Sequence, residues 1–470
     1  MTPSMRFTIR VALTVALGGF LMGFDASVIS GVVGFIEPEF ELSKFELGWA
    51  VASLTLTSTM AMMLAGPISD RFGRRPVLKV AALLFTVSAV ASAVAPDYIT
   101  LVAARMLGGF GVGAALIIAP MYIAEIAPPA VRGRMVSFNQ LNIVIGISAA
   151  YFSNYLILSL GQSDLGWAQA LRFGDWNWRW MLGVEALPAI FYFFALLFVP
   201  ESPRWLVMKG RNEDALGILE QVSSKAQAEK DLTAVRESLQ AEAHQEKGTF
   251  RELFQPAMKL VLTIGISVAI LQQITGINSV FFYAPMIFEQ SGIGTDAAFM
   301  QAVMVGIVNL VFTVTAILLI DKLGRRPLLI AGLAIISFCM LLLAWAFSAA
   351  SYTPGGELVG VNPVIILIGI LGFVAGFAIS LGPVMWVLFS ELFPNRIRGI
   401  AISFVGLINS SVSFLVQLVF PWELENFGPS TTFLIYGIFA VIGLVFVFRT
   451  LPETKGRSLE ELEAELVSGK

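Results

Sequence analysis

Long apolar runs separated by short polar segments are the dominant pattern along the chain. An α-helix needs about 20 apolar residues to cross roughly 30 Å of hydrocarbon, and twelve runs reach that length. We predict membrane-spanning helices at residues 8–34, 46–69, 76–95, 98–125, 134–159, 180–199, 258–289, 297–320, 326–349, 361–391, 399–422 and 430–450. The first run is too long for the core of a signal peptide, so we expect it to be retained as a helix.

The composition is that of a multi-pass membrane protein. Of the 470 residues, 57% are hydrophobic and 13% are charged, and the mean hydropathy of +0.80 lies far outside the range of a soluble globular domain. The single cysteine, Cys339, excludes an internal disulfide and argues against a cysteine metal site. The only histidine, His244, falls in a charged segment and is expected at the solvated surface. We expect no metal and no cofactor.

Basic residues mark one set of the loops between helices. They follow predicted helices 2, 4, 8 and 10: Arg71, Arg74, Arg75 and Lys79; Arg132 and Arg134; Lys322, Arg325 and Arg326; Arg396 and Arg398. The opposite loops are acidic or neutral. Because cytoplasmic loops carry the excess of lysine and arginine, both termini are predicted to be cytoplasmic, in a cell (inner) membrane. The bases are spread over separate loops rather than forming one patch, so we expect no nucleic-acid partner.

Charged motifs repeat between the two halves of the chain. DRFGRRP at Asp70–Pro76 returns as DKLGRRP at Asp321–Pro327, an offset of 321 − 70 = 251 residues. EIAPPAVRG at Glu125–Gly133 returns as ELFPNRIRG at Glu391–Gly399, and PES at residue 200 returns as PET at residue 452. The predicted fold is therefore all-α, with twelve membrane-spanning helices in two pseudo-symmetric six-helix bundles. Two parallel repeats are typical of transporters that rock one half against the other around a central site.

The repeat also sets the predicted domain order. Residues 1–200 form the first bundle, 201–257 a cytoplasmic linker, 258–452 the second bundle and 453–470 a cytoplasmic tail. The linker segments EDALGILEQ and KAQAEKDLTAVRESLQAEA are typical of short surface helices, and Ser458 and Glu461 in the tail have capping-box spacing. The linker is compatible with either a plain connector or a regulatory element.

One carboxylic acid interrupts the first apolar run. Between Arg10 and Glu37 no residue other than Asp25 is charged, and an acid at membrane depth usually faces a partner or a water-filled path and marks function. Two other charges are expected at a similar depth. Arg105 lies eight residues, about 12 Å along a helix, from Asp97 at the outer end of helix 4. Glu185 lies six residues in from Arg179 at the outer end of helix 6.

Three carboxamides lie mid-way along the seventh run, in AILQQITGINSVFFYAP. Gln272, Gln273 and Asn278 offer both donors and acceptors, which suits a neutral polyol because no charge is buried with it. On a continuous helix Gln273 and Asn278 point about 140° apart. They converge only if the helix breaks, and Gly276 between them permits a break. The alternative is that these amides only hydrogen-bond neighbouring helices.

Several motifs, taken in order, resemble a known family. GFDASVISG, DRFGRRP, EIAPPAVRGRMVSFNQ, PESPRWL, QQITGINSVFFYAP, DKLGRRP, GPVMWVLFSELFPNRIRG and PETKGRSLEELE cover nearly the whole chain. The sequence resembles a sugar porter of the major facilitator superfamily. Its motifs are most similar to those of bacterial proton-coupled pentose and hexose symporters, and the facilitative glucose transporters are a step further off.

The resemblance implies a sugar-binding pocket. Residue by residue it places these side chains there: Gln140, Gln272, Gln273, Asn278, Asn309, Trp386 and Asn409. Trp386 also has a physical rationale, because an indole can cover the C–H face of a sugar and still donate an N–H; the alternative is plain packing or an interfacial position. Ile147, Ser410 and Met22 depart from the symporter pattern, in which a glutamine, a tryptophan and an aromatic residue are common. The choice between xylose, glucose, galactose and arabinose therefore does not carry over.

The resemblance also implies a proton site. In proton-coupled sugar porters an acid at this place in helix 1 pairs with an arginine at this place in helix 4, and facilitative relatives tend to lack the acid. We therefore interpret Asp25 as the proton acceptor, Arg105 as the base that holds it charged, and Glu185 as an alternative partner for Arg105. The alternative interpretation is a static buried ion pair.

A gate at the cytoplasmic helix ends is implied in the same way. Its predicted members are Asp70, Arg74, Arg75, Glu125, Arg132, Glu201, Arg204, Asp321, Arg325, Arg326, Glu391, Arg398 and Glu453. In the family these form ion-pair networks across the two halves when the cytoplasmic side is shut. One exposed pair contributes about 0–1 kcal/mol, but several together can decide a two-state balance. If the bases were only topology anchors, the repeated acids would be unexplained.

We therefore predict a secondary active transporter that imports a neutral monosaccharide, a pentose or hexose, with protons. Its partners are the sugar, protons and the lipid bilayer, and we expect it to function as a monomer. The alternatives are a facilitative sugar uniporter, a major facilitator carrier of a drug, organic anion or other non-sugar solute, and a transporter-like sugar sensor. An anion carrier would need unpaired bases in its spans, a sensor a long soluble extension, and an enzyme a catalytic constellation; the sequence favours none of these.

Overall fold

Helices make up nearly all of the computed structural model, which describes residues 3–128, 131–244, 248–353, 358–394 and 396–455. The α-helices are α1 Pro3–Val28, α2 Val33–Glu39, α3 Lys44–Phe72, α4 Arg74–Ala93, α5 Tyr98–Ile126, α6 Arg132–Gly161, α7 Gly166–Ala170, α8 Asn177–Gly183, α9 Ala186–Leu197, α10 Pro203–Met208, α11 Asn212–Val222, α12 Lys225–His244, α13 Lys259–Ile274, α14 Ile277–Glu289, α15 Thr295–Leu323, α16 Arg325–Ser348, α17 Pro363–Ile379, α18 Leu381–Leu392 and α19 Arg398–Thr450. Three 3₁₀ helices lie at Ile29–Gly31, Phe250–Phe254 and Pro256–Met258. Two-residue strands, β1 Ser351–Tyr352 and β2 Leu358–Val359, pair antiparallel without changing the predicted all-α class.

Among the described residues, eleven helical stretches are long and apolar enough to span a membrane. The number is one below the predicted twelve because α19, with 53 residues, carries two of the predicted spans. Inside it Gly428 has φ 76° and ψ 163°, far from helical values, and Pro429 follows directly. The long helix is therefore two helices that meet between the predicted runs 399–422 and 430–450.

Some of the predicted spans are interrupted part-way. The seventh breaks at Thr275 and Gly276, between α13 and α14. The tenth breaks at Ser380, whose φ of −127° and ψ of −94° separate α17 from α18. In the sixth, α8 ends at Gly183 and α9 begins at Ala186. Broken helices are tolerated at membrane depth where they are buried in protein or line a cavity, so these positions are candidates for a site.

Helix α5 shows how a polar residue fixes where a span begins. The Asp97 carboxylate accepts a hydrogen bond from the backbone N–H of Thr100 at 2.8 Å and so caps the helix. That hydrogen bond holds the pKa of Asp97 below its ordinary value, because the helix N-terminus stabilises the negative charge. The fixed start sets the depth of Arg105 further along the same helix.

Helices α1 and α6 approach each other closely through glycines. A side chain at Gly23 would overlap the backbone carbonyl of Ile143, and one at Gly146 would overlap the carbonyl of Phe20. Small residues allow this close approach, which helices in membranes use because apolar surface alone does not drive them together. The contact holds the part of α1 that carries Asp25.

The chain forms two compact units. Unit 1 contains Met1–Ala26, Ser53–Ala150 and Trp178–Glu246, and unit 2 contains Ser27–Ala52, Tyr151–Asn177 and Lys247–Lys470. The change from one unit to the other near residue 246 falls inside the predicted linker, 201–257. The predicted domain limits at residues 200, 257 and 452 stay predictions.

The linker forms the surface helices that its sequence predicts. They are α11 and α12, and α10 precedes them with Pro203 in its first turn. The Ser202 hydroxyl caps α10 by accepting a hydrogen bond from the backbone N–H of Trp205 at 3.3 Å. The side chain of His244 and the predicted capping pair of the tail, Ser458 and Glu461, lie outside the described residues.

Candidate functional site

A buried ion pair joins α1 to α5. Arg105 Nη1 lies 2.5 Å from Asp25 Oδ1 and 3.0 Å from the backbone oxygen of Asp25. Asp25 is 1% exposed and Arg105 is 2% exposed. Asp25 Oδ2 and Arg105 Nε have no hydrogen-bond partner among the described residues. Removing such ions from water costs several kcal/mol for each ion, so the pair points to function rather than to stability.

A second buried acid lies within electrostatic range of this pair. Glu185 lies between α8 and α9 and is 2% exposed. It is repelled by Asp25 and attracted by Arg105, and its Oε1 has no hydrogen-bond partner within the described parts of the chain. The three charged residues that the sequence analysis expects at one depth thus interact electrostatically, but within the described parts of the chain only Asp25 forms an ion pair with Arg105.

Two residues that sequence analysis did not single out border the Asp25 carboxyl. A side chain at Gly108 would come within 2.6 Å of both Asp25 Oδ2 and the Ser88 hydroxyl oxygen. Gly108 lies three residues after Arg105, on the same face of α5. The missing side chain keeps the space beside Oδ2 clear. The sequence offered one signal for Gly108: it is a small residue one helical turn from the buried charge of Arg105.

A network of side-chain amides lies in unit 2. Asn278 Nδ2 donates to Gln273 Oε1 at 2.7 Å, and Gln273 Nε2 donates to Gln272 Oε1 at 3.1 Å and to Asn409 Oδ1 at 3.3 Å. Asn409 Nδ2 closes the circuit on Gln272 Oε1 at 2.8 Å. Gln272, Gln273 and Asn409 are buried, and Asn278 is half-buried. Four of the predicted binding residues are therefore in mutual contact.

The interruption at Gly276 makes this network possible. Gly276 has φ 93° and ψ 17°, a left-handed conformation that glycine adopts without steric cost. A side chain there would also overlap the ring of Tyr436. The turn brings Asn278 onto Gln273, which a continuous helix would direct about 140° away. The predicted break is confirmed.

Helix α19 supplies one wall of the network. Asn409, Ser413 and Gln417 are spaced four residues apart, so they share one face of the helix. The Ser413 hydroxyl accepts hydrogen bonds from Asn278 Nδ2 at 2.7 Å and from Gln417 Nε2 at 2.8 Å. Sequence analysis missed Ser413 and Gln417, although their spacing from Asn409 was visible. The assembled surface is neutral and holds many donors and acceptors, which suits the hydroxyls of an uncharged ligand.

The other predicted binding residues form no hydrogen bond with this network among the described residues. Gln140 is exposed on α6, in unit 1. Asn309 is 4% exposed on α15, and no hydrogen bond between described residues joins it to the amides. Trp386 is 48% exposed on α18 and meets Phe389 edge to face at 5.9 Å between ring centroids. The positions that depart from the symporter pattern, Met22, Ile147 and Ser410, are half-buried.

The helix ends near Arg74 and Arg325 carry dense charge, and we call them the basic ends. In unit 1, Arg74 forms a two-point contact with Glu125 at 3.1 and 2.9 Å and reaches Asp70 at 2.7 Å. Glu201 accepts hydrogen bonds from the backbone N–H groups of Arg74 and Arg75 at 3.0 and 3.2 Å. Burial raises the pKa of the Glu201 carboxyl, and these hydrogen bonds oppose the rise. Glu201 thus caps the start of α4.

Unit 2 repeats this arrangement at the start of α16. Arg325 forms a two-point contact with Glu391 at 3.1 and 2.7 Å and reaches Asp321 at 3.2 Å. Glu453 accepts hydrogen bonds from the backbone N–H groups of Arg325 and Arg326, both at 3.1 Å. The repeated motifs therefore build the same helix-end cluster twice.

Three arginines predicted for the gate lie outside both clusters. Arg132 is exposed. Arg204 pairs with Glu242 of α12 at 2.5 Å, and Arg398 Nε donates to the backbone oxygen of Phe393 at 3.2 Å. Both clusters are internal to their own unit, and ion pairing across the two halves stays a prediction.

Known proteins match this chain along nearly its whole length. The family model described as "Sugar (and other) transporter" matches residues 11–466. The arabinose-proton symporter of Bacillus subtilis (strain 168) is 38% identical over 460 residues, which cover 98% of this chain and 95% of that relative. The D-xylose-proton symporter of Escherichia coli (strain K12) is 38% identical, with 97% of this chain and 95% of the relative covered.

This chain belongs to the sugar transporter family. A solved structure, the partially occluded inward-open conformation of the xylose transporter XylE from E. coli, matches it with a TM-score of 0.81 and 35% identity. That match covers 96% of this chain and 100% of the other. The sugar transporter therefore has the major facilitator fold and is not an enzyme. In its described residues, no group of three or more His, Cys, Asp and Glu side chains is placed to hold a metal ion.

Proposed function

We propose that this sugar transporter imports a neutral pentose or hexose together with a proton by alternating access. The observation that carries the proposal is the buried contact between Asp25 and Arg105, with Glu185 beside it. The names of the arabinose-proton and D-xylose-proton symporters support the same coupling. Both termini lie in the cytoplasm in this proposal, and the protein acts as a monomer in the inner membrane.

The charge count of the buried cluster favours one proton. Two carboxylates and one guanidinium leave one negative charge in excess, and burial disfavours an excess charge. A single proton shared by the two acids makes the cluster neutral. Because the acids interact, the proton belongs to the cluster before it belongs to either residue.

Proton movement between the two acids gives the switch. Protonation of Asp25 removes the charge that holds Arg105 Nη1 against it. A buried base left without a partner would cost about 3–5 kcal/mol, but an ionised Glu185 can take over Arg105. The contact between α1 and α5 then loosens without stranding a charge, and the balance between two conformations shifts.

The amide network is the proposed sugar site. Hydroxyls of a monosaccharide can replace the mutual hydrogen bonds of Gln272, Gln273, Asn278 and Asn409 without burying a charge. The exposed indole of Trp386 offers an apolar face for the C–H side of the ring. Gln140 and Asn309 are proposed to contact the same sugar, and the clusters at the basic ends are proposed to re-pair across the halves when the cytoplasmic side closes.

Reconstitution tests substrate and coupling together. The purified transporter is placed in liposomes and offered radiolabelled pentoses and hexoses, with and without an inward proton gradient. We expect one sugar or a small set to accumulate above its external concentration only when the gradient is present. Uptake that stops at equal concentrations, whatever the gradient, would identify a facilitative uniporter with a static ion pair.

A further inference from the structure

An apolar groove and a charged pocket adjoin on unit 1. The groove has a volume of about 360 Å³ and lies between α3, α4 and α5. The pocket has a volume of about 500 Å³ and lies between the start of α4 and the linker helices α10 and α11. Phe72 and Pro76 line both, so the two spaces meet at the basic end of the unit.

The groove faces the hydrocarbon. Leu64, Ile68, Phe72 and Val80 line it and are 54%, 43%, 56% and 56% exposed. They lie on membrane-spanning helices, where such surface is covered by lipid chains. A groove of this kind accepts an acyl chain along its length and directs the other end of that lipid towards the pocket.

The pocket holds more free positive than free negative charge. The Glu201 carboxylate already accepts hydrogen bonds from backbone N–H groups. Asp214 forms an ion pair with Arg211 at 2.8 Å. Arg75 uses Nε and Nη2 on backbone carbonyls, which leaves Nη1 without a partner among the described residues. Lys79 forms no ion pair with any described residue. A phosphate group complements these two cations.

Lys79 is not part of the repeated motif. At the 251-residue offset its counterpart is Ile330, whereas Arg75 corresponds to Arg326. The extra base therefore belongs to the first half alone, which also carries the linker helices that wall the pocket. A residue that only anchored the helix at the membrane surface would not need to line a pocket continuous with an acyl groove.

We propose that unit 1 binds an anionic phospholipid, with one acyl chain in the groove between α3 and α4 and its phosphate at Lys79 and Arg75. Such a lipid would link the start of α4 to α10 and α11. The proposal needs membrane insertion but neither sugar binding nor proton coupling, so it stands or falls separately from the proposed function.

The test is native mass spectrometry of the purified full chain in detergent, titrated with phosphatidylglycerol or phosphatidylethanolamine. We expect tighter binding of phosphatidylglycerol and about fivefold weaker binding in Lys79→Gln, since one basic residue near a membrane surface adds about 1 kcal/mol to anionic lipid binding. Lys230→Gln removes an exposed base of α12 that lines neither the pocket nor the groove, and it should bind as the parent does.

A second pair of variants tests the groove. Val80→Trp fills it at an exposed position and should weaken binding of phosphatidylglycerol, whereas Val87→Trp, on the same helix outside the groove, should not. Equal binding of the two lipids, unchanged binding in Lys79→Gln and Val80→Trp, or a loss in Lys230→Gln equal to that in Lys79→Gln would each overturn the proposal. Matched melting temperatures show whether all variants are folded.

Discussion

The two units bury different kinds of polar side chain. Unit 1 buries a full ion pair with a second acid beside it, at Asp25, Arg105 and Glu185. Unit 2 buries uncharged amides and a hydroxyl, at Gln273, Asn409 and neighbouring side chains. At the basic ends, in contrast, the units are nearly identical, because Arg74 and Glu125 in one correspond to Arg325 and Glu391 in the other.

The difference shows which parts of a duplicated chain are needed twice. A cluster that ties helix ends together serves both halves, so its acids and bases recur with the motif. A proton site needs charge that can be neutralised, and a site for a neutral sugar needs donors and acceptors without charge. In the proposed function unit 1 supplies the proton site and unit 2 supplies most of the sugar contacts, with Gln140 of unit 1 as an additional contact. The predicted effects of substitutions test that division.

The largest effect is expected at Asp25. Asp25→Asn mimics a permanently protonated acid and leaves Glu185 to balance Arg105, so it should abolish sugar accumulation driven by a proton gradient. Sugar binding and sugar-for-sugar exchange should persist, because the amides of unit 2 are untouched. Liposome uptake and exchange assays measure the two activities separately.

Two outcomes would contradict the role proposed for Asp25. An Asp25→Asn protein that still concentrates sugar in response to the gradient would remove proton coupling from unit 1. Loss of exchange together with accumulation, in a protein with a normal melting temperature, would place sugar binding and proton coupling in one site and end the comparison.

The next largest effect is expected in the amide network. Gln273→Ala or Asn278→Ala leaves hydroxyls of a buried sugar unpaired and should weaken binding by about 1–3 kcal/mol. The dependence of uptake on the proton gradient should be unchanged once sugar is saturating. Equilibrium binding to the purified protein provides the measurement.

A control is available on the same helix as Asn409. Asn426 is an exposed amide on α19 whose side chain donates to the backbone of Trp422, and Asn426→Ala should bind sugar like the parent. If Gln273→Ala and Asn278→Ala also bind normally, the network only joins helices and the sugar site lies elsewhere.

Glu185 gives a smaller and more specific effect. Glu185→Gln removes the excess negative charge, so Asp25 and Arg105 balance and the cluster holds its proton less tightly. Protonated Asp25 then leaves no acid for Arg105, so accumulation should need a more acidic exterior, with its pH profile displaced downwards by at least about one unit, or about 1.4 kcal/mol. Glu423→Gln, an acid of unit 2 that accepts from Tyr436, is the control. An unchanged profile in Glu185→Gln would exclude a shared proton.

The sequence predicted the neutral site better than its walls. Two amides on either side of Gly276 suggested a break before any contact was known, because only a break lets them meet. Ser413 and Gln417 gave only a weaker signal, their four-residue spacing from Asn409, since a serine or glutamine in an apolar helix is ordinary until another helix faces it. The same limit applies to Gly108, whose role depends on where α1 places the carboxyl of Asp25.

The basic ends show a different limit of prediction from sequence. Motif repetition predicted Arg74 and Arg325 as members of equivalent clusters, because the motif carries both their acids and their position at a helix start. Arg132 and Arg398 carried the same type of charge in equally similar motifs, yet the structure places them outside these clusters. The hydrogen-bond partners of Arg132 and Arg398 depend on the backbone conformation of the loop before each helix, and residue types alone do not determine that conformation.

The smallest effect tests the similarity of the units rather than their difference. Glu201 and Glu453 each cap a helix start by accepting two backbone N–H groups. Glu201→Ala and Glu453→Ala should each lower the free energy of unfolding by about 1 kcal/mol, the usual value of a lost cap. Glu237→Ala, at an exposed acid on α12, should have no effect. Melting curves in one detergent measure all three.

Equal decreases would mean that the two basic ends are energetically equivalent. A much larger decrease for Glu201→Ala would mean that α10 and α11, which wall the pocket beside Glu201, depend on that carboxylate, so that even the repeated clusters have diverged between the units.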